Sequence, residues 1–278
     1  MQKKKITDQN WFSIVCWLLL IVAAWEIGAI VVAHTKRSPE NILPHLYQIL
    51  AATLSSAKVS GGMTASRVVL SSAGATLFRA LAGFILGMIL GFVFALLMKL
   101  SGVIEKLAFP YLMLIQLIPV LGLAPIILAI TGDINQSRIV IAAILSFYPV
   151  ATNTLEGFKS VDKDKYDLMY TYAAKKSTIY TKVLIPTAIP YFFTGLKIAA
   201  PMAITASILV DTLQGDGGLG CMLSQSLKHA MSIYVFWLIV FFSAFIGIMS
   251  GYLMSWIERL VSPEYRGIRR AKAGKGGD

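Results

Sequence analysis

Long runs of apolar residues alternate with short polar segments along the chain. Six runs are long enough for the roughly 20 apolar residues that a transmembrane helix needs. They cover residues 11–33, 75–98, 107–130, 138–157, 187–210 and 233–257. The first run is too long for the apolar core of a signal peptide and has no small-residue cleavage pattern after it, so it predicts a retained span. The pattern therefore predicts an all-α membrane protein with six transmembrane helices and both termini on one side.

The segments outside these runs divide the rest of the chain. Residues 11–260 are predicted to form one six-helix transmembrane domain, with a short tail over 1–10. A basic, glycine-rich tail over 261–278 is predicted to be disordered and to contact anionic membrane lipid. In the connection 34–74, apolar residues recur at helical spacing after Pro44, which predicts an amphipathic helix on the outer surface. These residues are Leu46, Ile49, Leu50 and Leu54.

Composition agrees with a membrane protein, and the placement of charge orients it. Hydrophobic residues make up 56% of the chain and charged residues 14%, with a mean hydropathy of +0.71, whereas soluble domains are nearer one quarter charged. The side that holds both termini carries 17 of the 25 Lys and Arg residues. The opposite side carries Lys36, Arg37, Lys58, Arg67, Arg138 and Lys228. The positive-inside rule makes the termini and the 158–186 loop cytoplasmic, and the net charge of +11 then needs no nucleic-acid partner.

The candidate catalytic and metal-binding motifs lack the surrounding sequence features that such sites require. Residues 215–220, GDGGLG, satisfy G-x-G-x-x-G, but they follow a membrane span and belong to no βαβ unit, so they do not predict a dinucleotide site. The chain has no G-x-x-x-x-G-K-[ST] motif. Its two cysteines, Cys16 and Cys221, imply no disulfide framework, and its histidines lack metal-ligand spacing. We therefore predict no catalytic residue, no cofactor and no metal site in this chain.

Glu26, Arg79 and Lys197 are ionisable residues that lie within the apolar runs. Glu26 has two interpretations, a member of a proton relay or an interfacial hydrogen-bonding group. A relay needs partners that the sequence does not supply, so the second interpretation is favoured. Arg79 and Lys197 lie near span ends, where snorkelling of the charge to the interface is the expected role.

Proline and glycine occur where helices would bend and approach each other. A proline removes a backbone hydrogen bond and tends to kink its helix, and five of them fall in the third to fifth spans. These are Pro110, Pro119, Pro125, Pro149 and Pro201. In the second span Gly83, Gly87 and Gly91 recur every fourth residue, a spacing typical of close helix packing. The pattern favours helices that pack closely and are able to shift.

The polar segment between the fourth and fifth spans carries the strongest signal. Residues 162–172 are predicted to form a helix, and a second helix leads from about Ser177 to Pro186. The small residues Ala173 and Ala174 lie at the junction, where the chain must reverse over a short distance. The segment is therefore predicted to be a helix–turn–helix that projects from the membrane.

This segment resembles a loop in the integral-membrane subunits of binding-protein-dependent ABC importers. The family pattern is E-A-A, three residues, G, nine residues, then I-x-L-P. Here Asp167, Leu168 and Met169 take the E-A-A places, Ala173 takes the glycine, and Val183–Pro186 take I-x-L-P. The stretches IPTAIPYFFTGLKIA, TLFRALAGFILGMILG and LVDTLQGDGGLG are also similar to the taurine, sulfonate, nitrate and bicarbonate branch of this family.

The similarity covers roughly residues 20–265 and implies a fold and a role. The fold is the type I importer permease fold, in which this loop is a coupling helix that docks in a cleft of the ATPase subunit. Leu168 and Met169 would be the exposed apolar pair of that contact. Ala173 in the place of glycine implies either a strained positive φ or a turn of different build. The ATPase-coupling positions are Asp167, Leu168, Met169, Tyr170, Ala173, Ala174 and Pro186.

The resemblance also implies a transport function and partners. The chain would take a small solute from an external substrate-binding protein and pass it across the bacterial cytoplasmic membrane by alternating access. It would work as a homodimer whose ATP is hydrolysed by a separate cytoplasmic ABC ATPase subunit. The path would run between two copies, with the proline-rich third to fifth spans as its walls.

The substrate and two other classes of function stay open. Family members imply either a small organic anion such as a sulfonate, or an aromatic vitamin or pyrimidine precursor. Aromatic residues in the spans are compatible with a flat heterocycle and equally with helix packing. They include Phe147, Tyr148, Phe192 and Phe193. The alternatives are an ion-coupled secondary transporter, which needs midplane carboxylates and an internal repeat, and a membrane scaffold whose loop recruits a soluble protein.

Overall fold

A computed structural model describes residues 2–36, 42–56, 58–60, 62–213, 217–228 and 233–262. The described chain is almost entirely helical, apart from a short antiparallel hairpin. The helices before the hairpin are α1 (Gln2–Thr35) and α2 (Leu46–Leu54), and the hairpin strands are β1 (Lys58–Ser60) and β2 (Met63–Thr64). The helices after it are α3 (Ala65–Leu100), α4 (Gly102–Leu117), α5 (Val120–Thr131), α6 (Ile134–Lys159), α7 (Lys163–Thr171), α8 (Lys176–Ile179), α9 (Ile185–Leu213), α10 (Leu219–Lys228) and α11 (Ile233–Val261).

The candidate membrane spans agree with five of the six predicted runs. Five helical stretches of the described chain are long and apolar enough to cross a bilayer. They are Trp11–Thr35, Ala65–Leu100, Ile134–Lys159, Lys176–Leu213 and Ile233–Val261. The predicted all-α membrane fold is confirmed, and α1 begins at Gln2, inside the predicted tail. Most of the predicted C-terminal tail lies outside the described residues.

The predicted third span is not one continuous helix. It is the pair α4 and α5, whose axes differ by 109°. The break falls at Pro119, which has no amide hydrogen and forces Ile118 into an extended conformation with φ −73° and ψ 124°. Pro110 and Pro125 lie inside α4 and α5 without ending them. This pair is therefore either a broken sixth span or a re-entrant segment.

The described chain divides into two compact units. The first joins the N-terminal region to Ser71 with Met222–Phe241, and the second joins Ser72–Cys221 with the region from Phe242 onward. In the first unit, the Glu26 carboxylate accepts a hydrogen bond from the backbone N–H of Leu46 (2.9 Å) and lies 2.6 Å from His45 Nδ1. Glu26 thus hydrogen-bonds to the start of α2, in agreement with the favoured interpretation, and His45 is a titratable partner that the sequence did not reveal.

In the second unit, α6 packs between α3 and α9 at very short range. A Cβ atom on Gly83 would lie 2.5 Å from Ala142 Cβ, and one on Gly87 would lie 2.5 Å from Ala143 O. On the other side, a Cβ on Gly195 would lie 2.7 Å from Pro149 O. The close packing predicted from the glycine spacing is therefore confirmed, and it makes α6 the centre of this unit.

The charged residues of the second unit correct the snorkelling prediction for Arg79. Lys197 Nζ lies 2.6 Å from Glu258 Oε2, which ties α9 to α11 by an ion pair. Arg79 points toward the buried carboxylate of Asp211, with Nη1 3.5 Å from Oδ1. Arg79 thus turns toward a buried carboxylate, which corrects the snorkelling prediction for this residue, whereas the pairing of Lys197 with Glu258 near the end of α11 leaves that prediction untested.

Candidate functional site

The α6–α9 loop, residues 160–184, has the predicted helix–turn–helix form. Helix α7 begins after Asp162, whose carboxylate makes no cap and instead lies 3.3 Å from Lys165 Nζ at the surface. A reversal follows α7, and α8 begins at Lys176. The chain then passes through a π-helical turn, Tyr180–Leu184, and continues directly into α9. The loop is therefore joined to a membrane span by continuous helix.

One face of the loop packs against the ends of the spans. Tyr166, Met169 and Ala174 lie against a buried cluster that includes Phe158 and Leu184. Burial raises the pKa of the Tyr166 phenol above its ordinary value, and the neighbouring Tyr180 and Tyr170 raise it further. The phenol therefore stays neutral at physiological pH and is suited to apolar packing. This contact fixes α7 to the core of the second unit.

The other face of the loop is open. Leu168 is 56% exposed, Tyr170 is 64% exposed and Tyr172 is 76% exposed, and Asp167 is exposed beside them. Exposed apolar and aromatic side chains gathered on one short helix are typical of a contact surface. The sequence predicted an exposed pair of Leu168 and Met169, and this was wrong for Met169, because its side chain turns inward. Leu168 and Tyr172, four positions apart, form the exposed patch, and Tyr170 is exposed on a different side of α7.

The reversal after α7 shows which backbone conformation Ala173 adopts in place of the family's glycine. Ala173 has a φ of +49°, the left-handed region that glycine adopts without strain. Its N–H donates to Tyr170 O at 2.9 Å, and the N–H of Ala174 donates to Met169 O at 3.0 Å. The turn thus has the glycine conformation with an alanine in it, and the alternative of a different build is wrong.

Replacing Ala173 with glycine should slow hydrogen exchange of the loop amides. A Cβ in the left-handed region costs about 1–2 kcal/mol, and glycine removes that cost while adding backbone entropy to the open loop. We expect a net gain of about 1 kcal/mol, or about fivefold slower exchange at the amides of residues 173 and 174. Ala174→Gly is the matched control, because the φ of Ala174 is not positive. Equal slowing by both substitutions would contradict the strain argument.

Charged and aromatic contacts attach the base of the loop to three helices. Lys159 Nζ, at the end of α6, lies 2.6 Å from Glu105 Oε1 on α4 and 5.9 Å from the ring centre of Phe109. Lys99, at the end of α3, lies 5.9 Å from the ring centre of Tyr166. Movement of the loop would therefore reach α3, α4, α6 and α9 together.

Pro186 lies at the junction of the loop and α9. As the second residue of α9 it follows the π-helical turn, in which the N–H of Ile185 donates to Tyr180 O, five residues back. Proline cannot donate a backbone hydrogen bond, so a change of helical register is least disruptive beside it. The structure therefore gives Pro186 a role in the shape of the helix, and its side chain is not part of the exposed patch.

A second polar group, which sequence reasoning missed, lies at the opposite ends of α6 and α9. We call Thr76, Arg79, Arg138 and Asp211 the Asp211 cluster. Arg138 Nε lies 2.7 Å from Asp211 Oδ1, and both side chains are fully buried. Arg138 was counted among the charges on the side opposite to the termini; it lies at that end of α6, and its side chain is buried within the protein. The signal that could have found the cluster is that α3, α6 and α9 each place a charged residue at that same end.

Among the residues that the structure describes, no three His, Cys, Asp or Glu side chains are grouped closely enough to hold a metal ion. The aromatic residues Phe192 and Phe193 pack against each other and, with Phe92, inside the second unit. They contribute to helix packing.

Known proteins place the chain among transport permeases. The profile of the family described as "Binding-protein-dependent transport system inner membrane component" matches residues 83–267. The formylaminopyrimidine transport permease protein ThiX of Halalkalibacterium halodurans is 29% identical over 204 residues, which is 73% of this chain and 76% of that protein. The nitrate import permease protein NrtB of Synechococcus elongatus is 26% identical over 259 residues, 91% of this chain and 90% of that protein.

A solved structure supports the fold. The MetNI methionine ABC transporter in an inward-facing conformation has a chain that superposes with a TM-score of 0.62 at 16% identity. The match covers 71% of this chain and 97% of that chain. At this identity the likeness bears on the fold alone, and it agrees with the type I importer permease fold. The profile match extends over more than half of the sequence, and the chain belongs to the family of inner-membrane components of binding-protein-dependent transport systems.

Proposed function

We propose that this chain is the transmembrane permease subunit of an ATP-driven importer. It acts as a homodimer in the bacterial cytoplasmic membrane, receives a small solute from an external binding protein, and moves it by alternating access. ATP is hydrolysed in a separate cytoplasmic ABC ATPase subunit, which contacts the α6–α9 loop. Both termini and this loop are cytoplasmic, in agreement with the distribution of Lys and Arg.

The observation that carries the proposal is the two-sided packing of α7. Its inner face is fixed to the spans through Tyr166 and Met169, and its outer face presents Leu168 and Tyr172. Apolar and aromatic anchors of this kind give binding energy when a partner buries them. A partner that binds the outer face and changes shape would pass this movement to the spans through the packing of Tyr166 and Met169, and also through α8, which continues into α9 by way of the π-helical turn. This is the mechanical requirement for driving transport by ATP.

The names of two relatives support two classes of solute for the proposed importer. ThiX is named as a formylaminopyrimidine permease and NrtB as a nitrate permease, so one is matched to a heterocycle and the other to an inorganic anion. The substrate of this chain is accordingly a pyrimidine precursor or related vitamin, or a small anion of the nitrate and sulfonate kind. A thermal-shift screen of the binding protein encoded beside this chain, against both classes, would decide between them.

Leu168→Asp should release the ATPase subunit from the permease. Burying a leucine side chain contributes about 1.5–3 kcal/mol, and the substitution both removes this and places a carboxylate in the contact. We expect at least a tenfold loss of the ATPase that co-purifies with tagged permease, with an unchanged amount of permease in the membrane. Leu168→Met keeps the apolar surface and should retain the complex.

The outcome also separates the proposed function from its alternatives. A secondary transporter or a scaffold would give no ATPase in the wild-type purification, and uptake by a secondary transporter would follow an ion gradient without ATP. If the ATPase co-purifies equally well with Leu168→Asp, and ATP-driven uptake is unchanged, the outer face of α7 is not the docking surface.

A further inference from the structure

The Asp211 cluster holds a turn of backbone as well as pairing charges. Asp211 lies in the last turn of α9, and its Oδ2 accepts a hydrogen bond from Thr76 Oγ1 at 2.8 Å. The same Thr76 oxygen accepts a hydrogen bond from the backbone N–H of Leu219 at 2.9 Å. Arg138 Nη2 lies 3.4 Å from Gly217 O. One carboxylate is thus connected, through Thr76 and Arg138, to both sides of the turn that begins α10.

The glycines of this turn fit against the carboxylate. Gly217 and Gly218 have positive φ values of 77° and 107°, which other residues rarely adopt. A Cβ on Gly218 would lie 2.1 Å from Asp211 Oδ2, and one on Gly220 would lie 1.9 Å from Ile208 O. The glycines of this stretch, which predicted no nucleotide site, therefore have local reasons: Gly217 has a positive φ, Gly218 approaches the buried carboxylate, and Gly220 approaches the backbone of α9.

Stability alone does not account for such a cluster. A buried ion pair loses much of its attraction to the cost of removing both charges from water, and apolar residues of similar volume often serve as well. What the carboxylate supplies that apolar residues cannot is a fixed direction, since its Oδ2 accepts a hydrogen bond from Thr76 Oγ1 and its Oδ1 lies 2.7 Å from Arg138 Nε. An ionisable group within a membrane span is moreover a functional candidate by default.

We propose that Asp211, with Thr76 and Arg138, is a positioning group that clamps the 217–220 turn at the ends of α6 and α9 opposite to the α6–α9 loop. In the proposed importer, on which this inference rests, that end faces the binding protein. The clamp holds the turn in the position in which the permease accepts the solute. Asp211 and Arg138 are fully buried, so the clamp acts through the backbone of the turn and does not touch the solute.

Thr76 offers the sharpest test, because its hydroxyl links the carboxylate to the turn. Thr76→Val keeps the shape and removes the hydroxyl, and Thr76→Ser keeps the hydroxyl. The native Cys221 is a reporter, since it lies two residues after Leu219 and is 3% exposed. In a Cys16→Ser background, a maleimide reagent applied to open membrane fragments should label Cys221 at least tenfold faster in Thr76→Val than in the parent. Thr76→Ser should label at the parent rate.

Two further measurements test whether the effect of Thr76→Val is confined to the 217–220 turn and whether it affects transport. A Leu168→Cys substitution, in a Cys16→Ser, Cys221→Ser background, should label equally fast with and without Thr76→Val, which shows that the change is local. In the reconstituted complex, Thr76→Val should raise the KM for the loaded binding protein at least fivefold, and Thr76→Ser should restore it. A merely structural loss would instead reduce the amount of folded protein and leave the KM unchanged.

The proposal is overturned if Thr76→Val folds and labels Cys221 at the parent rate. If Thr76→Val does not fold, Gly218→Ala supplies the second test, since its Cβ would displace the turn from Asp211 while leaving every cluster side chain in place. Unchanged labelling in that variant also overturns the clamp. The labelling measurement needs neither an ATPase nor a binding protein, so failure of the proposed importer function would appear only in the transport measurement.

Discussion

Gly87→Ala should destabilise the permease by about 1–3 kcal/mol, the usual cost of forcing an extra carbon into a packed core. The new Cβ would lie 2.5 Å from Ala143 O and 2.6 Å from Ser146 Cβ. Neither contact can be relieved by rotating a flexible side chain, because one is to backbone and the other to the first carbon of its side chain. The two helices α3 and α6 must move apart, and the contacts along their whole interface weaken. Thermal unfolding of the purified protein in detergent would measure the loss.

The control lies on the same helix. Gly74→Ala introduces the same atom where no heavy atom lies within 4 Å. Alanine is a better helix former than glycine by roughly 1 kcal/mol, so this variant should be as stable as the parent or more so. Equal destabilisation by Gly74→Ala and Gly87→Ala would show that the α3–α6 approach is not the cause. The spacing of the glycines predicted close packing of α3, and the two variants test it by adding one Cβ atom at a contact with α6 and one away from it.

The sequence was most informative where the surroundings or the geometry of a segment restrict its composition. Apolar runs of membrane-spanning length and the small residues at the Ala173 reversal predicted the spans and the α6–α9 loop, because a bilayer and a tight turn each permit few kinds of sequence. The alignment of Asp167–Pro186 with the family pattern placed the loop residues correctly along the chain. Their coupling role stays a prediction, which the Leu168 variants test.

The sequence was less informative where the outcome depends on which side chains meet. Pro119 was read as one of several possible kinks, yet it divides the third run into two helices, whereas Pro125 leaves its helix intact. Met169 is as apolar as Leu168, so the sequence does not distinguish them. In the structure Met169 packs, together with Tyr166, against the buried cluster at the ends of the spans. Such differences arise from tertiary contacts that a linear pattern does not contain.

The charged residues show the same limit most clearly. Asp211 falls just beyond the predicted end of the fifth span, so it was not considered in the sequence analysis as Glu26 was. Arg79 and Arg138 were interpreted separately in the sequence analysis. Arg79 was expected to snorkel to the interface, and Arg138 was counted as a charge on the side opposite to the termini. Their common role is visible only in the fold, where Arg79 on α3 and Arg138 on α6 both lie close to the carboxylate of Asp211 on α9.

Asp211→Asn should destabilise the protein by about 3–5 kcal/mol, the cost of removing one member of a buried ion pair. Asparagine keeps the size of the side chain and an acceptor for Thr76, so the loss comes from the charge. Arg138 would remain buried without its carboxylate, and Arg79 would lose its anionic neighbour. We expect little folded, monodisperse protein after extraction, and a large decrease in the melting temperature of what remains. Adding Arg138→Gln should recover part of the loss, because the uncompensated guanidinium is then removed.

A second ion pair of the same unit provides the matched comparison. Lys159 Nζ lies 2.6 Å from Glu105 Oε1, slightly closer than the 2.7 Å between Arg138 and Asp211, but its side chains are 39% and 29% exposed. Water screens an exposed pair, so Glu105→Gln should cost no more than about 1 kcal/mol. If both carboxylates prove equally important, distance alone would govern these pairs. If the loss is confined to Asp211, burial governs them, because a guanidinium that has lost its counter-charge inside the protein has no water to replace it.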